Sequence, residues 1–132
     1  MPGQDTTHAT IKSYKYTGGA IGAFLAVIAG ANEDECQLPG GADVAGFLGF
    51  TMEAGGAGEW HPLHMLGGVA KATASAAIAL GAKCSIAGAS GKIKAAAPAA
   101  GVNSHVVCVA LRAAAADGDV IPVLIAPSVM QG

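Results

Sequence analysis

Near its start this chain alternates polar and apolar residues with the two-residue period of a β-strand, and beyond that short apolar stretches are separated by glycine- and alanine-rich turns. Residues 11–16, IKSYKY, put Ile11, Ser13 and Lys15 on one side and Lys12, Tyr14 and Tyr16 on the other, which predicts a strand that packs its tyrosines. The uncharged run TGGAIGAFLAVIAGAN, residues 17–32, predicts a glycine-rich turn and a buried strand over 23–28. An acidic loop, a short strand over 36–38 and the turn PGG follow. Further on, 68–73 reads as another short strand, and GASG turns between strands over 83–86 and 92–95 as a compact hairpin.

One pattern occurs twice. Residues 41–65 line up without a gap on residues 101–125, at an offset of about 60, and each copy reads strand, small-residue turn, strand. Gly41, Ala54, Gly58 and Pro62 recur as Gly101, Ala114, Gly118 and Pro122, and Glu59 faces Asp119. The matched residues control backbone geometry: a glycine before the acidic residue supplies φ > 0 to close a turn, and a proline brings no N–H to a ladder. The pattern predicts two superimposable β-hairpins with Pro62 and Pro122 at matching edge or bulge positions. The last strand is expected over 120–125.

At 132 residues the chain is long enough for one domain that buries roughly two thirds of the surface its unfolded form exposes. The expected architecture is all-β, a compact β-barrel-like or β-sandwich domain of hairpins over 10–127. An extended N-terminal arm over 1–9 and a short C-terminal tail over 128–132 flank it. Alanine-rich stretches favour helix on intrinsic scales, so a single helical turn at 113–116 or a short helix near 72–79 fits the sequence.

Composition adds a demand for partners. Hydrophobic residues make up 52% of the chain but aromatics only 5%, with 20 glycines, so the core consists of small side chains that each bury little area. An oligomer is expected to supply the missing burial. With 7 basic and 9 acidic residues, a net of -2, and the basic residues spread along the chain, nucleic acid is excluded as a partner by the lack of a basic cluster. No stretch is both long and apolar enough for a spanning helix, so no membrane is expected. Three cysteines at wide spacings, Cys36, Cys84 and Cys108, after a polar start without an apolar leader, point to a reducing cytoplasm as the place of folding.

Candidate chemistry is sparse. His61 and His64 are three apart, as are His105 and Cys108, and all are zinc-type ligands. On strands, residues three apart point to opposite faces, so neither pair converges on an ion. SIAGASGKI has Gly91 before Lys92 but lacks the remaining glycine and hydroxyl of a phosphate-binding loop. No serine sits in GxSxG, and Glu33, Asp34 and Glu35 lack the spaced oxygens of a calcium loop. No catalytic, cofactor-binding or metal-binding residue is expected, and no cofactor.

The closing segment HVVCVALRAAAADGDVIPVLIAP resembles the last hairpin of small tailed-bacteriophage capsid decoration proteins, also called cement proteins. In that family a strand of the type (I/V)xGxALe leads through a small-residue turn and Gly-Asp into a final apolar strand. Residues 106–111, 113–116, Gly118 with Asp119, and 120–125 take these places here. GFTMEAGGAGEWHPLHMLGGVAK is similar to the family's earlier strand, turn and Gly-Glu step, GAKCSIAGASGKIKAA to its later hairpin, and IKSYKY to its opening strand. Cys108 stands where the family more often has glycine. The resemblance, over most of residues 11–127, implies a β-barrel-like structural virion protein without catalytic residues. Such a protein is assembled in the host cytoplasm and binds the capsid exterior as a homotrimer that bridges major capsid protein subunits. A phage tail or baseplate component would share the composition; a small-molecule-binding β-barrel would need more large apolar residues than this chain has.

Overall fold

The computed structural model describes residues 9–132, so all but the last residue of the expected N-terminal arm lies outside the described residues. Ten strands follow one another: β1 (Thr10–Tyr16), β2 (Ala26–Ala29), β3 (Glu35–Gln37), β4 (Phe47–Thr51), β5 (Trp60–Leu66), β6 (Ala70–Thr73), β7 (Lys83–Ile86), β8 (Ile93–Ala95), β9 (Asn103–Ala110) and β10 (Val120–Gln131). The all-β expectation holds, and the described residues contain no helix. Where the sequence permits a helical turn, pairing wins: Ile78 and Ala114 exchange two backbone hydrogen bonds of 3.0 and 2.9 Å and are both buried. Burial and a reciprocal bond pair outweigh propensity differences of a few tenths of a kcal/mol (~0.5) per residue.

The strands form two lobes in succession. β1, β3, β2, β4 and β5 close into a barrel in that order, with β1 antiparallel to β5 and parallel to β3. The second sheet runs β6-β10-β9-β7-β8, and a parallel bridge between Ala74 and Ile93 links the end of β6 to β8. It is the same circuit, its last seam reduced to one bridge.

Equivalent positions carry equivalent hydrogen bonds. Tyr16 N donates to Glu59 O at 2.9 Å and Gly58 N to Tyr16 O at 3.1 Å; in the second lobe Ala74 N donates to Asp119 O and Gly118 N to Ala74 O, both at 2.8 Å. The exchange between Ile78 and Ala114 is matched by one between Ile21 and Gly55. The irregularities match too: the ladder slips between Val27 and Ile28 against β4, and between Cys84 and Ser85 against β9. Left-handed turn residues coincide, Phe24 (φ 61°) with Gly81 (φ 82°) and Asp34 (φ 63°) with Gly91 (φ 81°). The duplication read from the two hairpins therefore extends through the whole described chain.

The hairpins need one correction. Phe50 pairs with His64 and Thr51 with Leu63, whereas Val109 pairs with Leu124 and Ala110 with Val123. Thr51 thus corresponds to Ala110, not to Leu111, because loop 111–119 holds one residue more than loop 52–59. Gly58 (φ 72°) and Gly118 (φ 92°) both close their turns in the left-handed region, as expected. Pro62 and Pro122 match, but not on edge strands: each lies one position past the last ladder pair with β4 or β9. Their carbonyls accept from Met52 N and Leu111 N. A strand residue's N and C=O point to the same neighbour, so the missing N–H falls where the ladder has ended.

The first lobe packs Tyr16, Ile21, Val27, Cys36 and Leu63 inside. Their counterparts in the second, Ala74, Ile78, Cys84, Ile93 and Val123, belong to a cluster that also takes in Ala26 and Phe50 from the first lobe, so one core runs across both. Two backbone bonds cross as well, Thr73 N to Phe24 O at 3.0 Å and Ala26 N to Gly91 O at 2.8 Å. A Cβ at Gly91 would lie 2.7 Å from Ala26 O, so the approach needs glycine.

Strand ends also differ from expectation. The strand predicted over 23–28 is β2, which starts at Ala26 because Phe24 takes the left-handed turn. The expected tail over 128–132 is instead largely strand: past a bulge between Ile125 and Ser128, β10 pairs on to Gln131 with Asn103 of β9. Pro127 sits in that bulge, where no ladder N–H is required, and its presence hides the strand in the sequence.

Candidate functional surface

The four residues with ligand chemistry go to separate places. His61, on β5 inside the first lobe, stacks edge-on against Tyr16 (centroids 6.1 Å apart, 85° between planes) with Nε2 3.5 Å from Gly56 O. A Cβ at Gly55 would lie 1.9 Å from its ring, so Gly55 makes the room. Buried His64 hydrogen-bonds Gly67 O through Nε2, and its Nδ1 is buried without a protein partner. His105 is exposed at the start of β9, while Cys108 is buried and faces Cys84 across the β7–β9 ladder. No group of three or more His, Cys, Asp or Glu among the described residues could hold a metal ion.

The acidic loop has a structural role. Asp34 takes the left-handed turn of the β2–β3 hairpin and pairs with Lys12, and Glu35 Oε1 accepts from Asn32 N (3.2 Å) and Nδ2 (3.0 Å). The hydrogen bond to Asp34 raises the Lys12 ammonium above its ordinary value. In the second lobe GASG, with Gly91, makes the same turn without carboxylates.

A groove of about 210 Å³ lies where residues 44–47 pass the β9–β10 bulge, lined by Val44, Phe47, His105, Val107, Pro127 and Ser128 among others. At the start of β9, Asp43 Oδ1 accepts from Ser104 Oγ at 3.0 Å and from His105 N at 2.7 Å. Serine, aspartate and histidine meet here in the wrong order for catalysis: the hydroxyl donates straight to the carboxylate, with no imidazole between them to take its proton. The contacts instead fix Asp43, held at φ 56°, against the strand.

What remains is surface. Trp60, Leu80, Leu124 and Val129 are 57%, 70%, 44% and 61% exposed, and Ile11, Leu66, Val102 and Leu111 add to them. On the β6 side, the pairing of β10 ends at Val123, so its following residues present an unpaired edge among the described strands. Residues 120–132 carry no charge that would blunt that edge. Sequence reading misses this edge because Pro127 and Ser128 interrupt the apolar run; the absence of charge over residues 120–132 is the signal that marks it.

Comparison with models of known protein families finds no match, and comparison with curated proteins finds none. Among the described residues no helix is long and apolar enough to cross a membrane.

Proposed function

We propose that this protein is a structural component of a bacteriophage virion, binding the outside of the mature capsid as a homotrimer and stabilising it by bridging major capsid protein subunits. The observation that carries the reading is the exposed apolar surface. A chain whose core is built largely of alanine, valine, isoleucine and cysteine leaves its only tryptophan and several leucines in water. Trp60, Leu66 and Leu124 on strands and Leu80 and Leu111 on loops are suited to burial against a neighbour, and the uncharged β10 edge is suited to an added strand. The resemblance of the closing hairpin and of the strands before it to decoration proteins supports the same reading. The groove is smaller than the roughly 300–1,000 Å³ of small-molecule sites, which favours a surface role over a pocket.

The mechanism is mass action. A protein that binds the expanded shell and not its precursor adds its binding free energy to the shell's stability, with no chemical step. Light scattering on the purified protein should give the mass of three chains, and the protein should sediment with empty expanded capsids. Trp60→Asp and Val129→Asp, at exposed positions, should weaken co-sedimentation while leaving the thermal transition unchanged. A monomer that stays in the supernatant sinks the proposal.

A further inference from the structure

Cys84 and Cys108 are partners across the antiparallel β7–β9 ladder, and neither has any solvent exposure. Opposed residues on an antiparallel pair share one face and hold their Cα atoms about 4.5–5.5 Å apart. That lies inside the roughly 4.4–6.8 Å that a disulfide spans. In the first lobe the same two places hold Val27 and Gly49, so the fold does not itself demand two sulfurs here. Cys36 lies in the other cluster, packed with Tyr16 and Leu63.

We propose that Cys84 and Cys108 form a redox site: hydrogen peroxide converts the pair to a disulfide that staples β7 to β9 inside the second lobe, while Cys36 stays a thiol. The Cys84 thiolate attacks one peroxide oxygen, breaking the O–O bond and releasing hydroxide. The Cys108 sulfur then attacks the sulfenic sulfur, giving up its proton as the S–S bond forms and a second hydroxide leaves. The two thiol protons turn both hydroxides into water, and two electrons pass from the sulfurs to peroxide.

The local chemistry assigns the order of attack. A hydrogen bond from Cys108, helped by one from the Ala110 backbone, holds the Cys84 thiol below its ordinary value despite burial. Cys108 is pushed well up by its bond to Cys84 and by desolvation, so it is the resolving partner. Burial alone pushes Cys36 up to about 11, which keeps it protonated and slow. Both thiols are fully buried, so peroxide reaches them through local opening of the second lobe, whose β6–β8 seam is held by the single Ala74–Ile93 bridge.

The test exposes the full chain to hydrogen peroxide, then denatures, alkylates and maps it by mass spectrometry. The expected product has lost two hydrogens, links the peptides of Cys84 and Cys108, carries one alkylated thiol at Cys36, and unfolds at higher urea than the reduced form. Cys36→Ser should leave the cross-link unchanged. Cys84→Val, which installs the residue of the first lobe, should abolish it and leave Cys108 alkylatable. Three alkylated thiols after a treatment that oxidises the denatured chain would overturn the proposal. So would oxidation of Cys84 to sulfinic acid without a cross-link, or dimers joined through Cys36.

Discussion

The two lobes share a circuit of strands, one ladder slip and their turn closures, yet fill the circuit differently. Tyr16 in the first interior corresponds to Ala74 in the second, while Cys36 and Gly49 correspond to the larger Ile93 and Cys108. Volume lost at one position is regained at others, which is how a fixed backbone tolerates divergent sequences. Every aromatic residue, from Tyr14 to Trp60, lies in the first lobe. Hydrogen-bonded backbone and glycine-closed turns define the barrel, and side chains need only sum to the right volume.

The largest expected effect tests that idea at its extreme. Tyr16→Ala puts the second lobe's own residue into the first, so backbone and sterics are satisfied and the cost is the cavity, about 3–5 kcal/mol by thermal or urea unfolding. A cost under about 1 kcal/mol would mean that the first lobe collapses around the gap and that volume matching is unimportant.

Gly58→Val and Gly118→Val come next. A Cβ at either glycine meets nothing within 4 Å, so the penalty is backbone strain alone, about 1–3 kcal/mol and similar in the two lobes. Unequal costs, measured side by side by urea unfolding, would break the equivalence of the turns.

A smaller effect separates two ways of holding one bend. Thr51 Oγ donates to Gly22 O at 2.8 Å and accepts from Leu25 N at 3.0 Å, bracing Phe24 in its left-handed conformation. Ala110 stands in its place in the second lobe, where Gly81 needs no brace. Thr51→Ala should cost about 1–2 kcal/mol, and a Phe24→Gly background should relieve much of it; additive costs in that cycle would show that the brace serves something else.

The last effect, silent at neutral pH, is a pH dependence. Burial raises the Cys36 thiol to about 11 from its ordinary 9.0. The folded state therefore holds this proton more tightly than the unfolded chain, so the contribution is complete below the unfolded value and is lost as pH rises through about 11. Cys36→Ala should flatten the alkaline limb of a stability profile without moving the acidic one; an unchanged alkaline limb would assign it to other groups.

Legibility in the sequence followed the turns. Gly58 and Gly118, with the acidic residues after them, announced both long hairpins, and GASG announced the third. The rest of the duplication was hidden because it resides in hydrogen bonds between backbones, which tolerate Phe24 opposite Gly81 and Asp34 opposite Gly91. The one-residue difference between the loops was invisible for the same reason: small residues fill both, and nothing in AGGAG or AAAAD fixes where the extra one belongs. The thiol pair was missed because Cys84 and Cys108 lie far apart in the chain, and only the β7–β9 register brings them together.

Tandem copies of one fold carry a hazard during synthesis, when a strand of either unit can dock into the other's place and trap the chain. The unequal interiors guard against it. A strand bearing Tyr16 finds no room where Ala74 belongs, and one bearing Ala74 leaves a hole where Tyr16 belongs. Each exchanged arrangement is therefore penalised by volume alone. Divergence between the copies, seen this way, is a proofreading code for assembly within a single chain: the backbone writes the same word twice, and the side chains ensure that the letters are not interchanged.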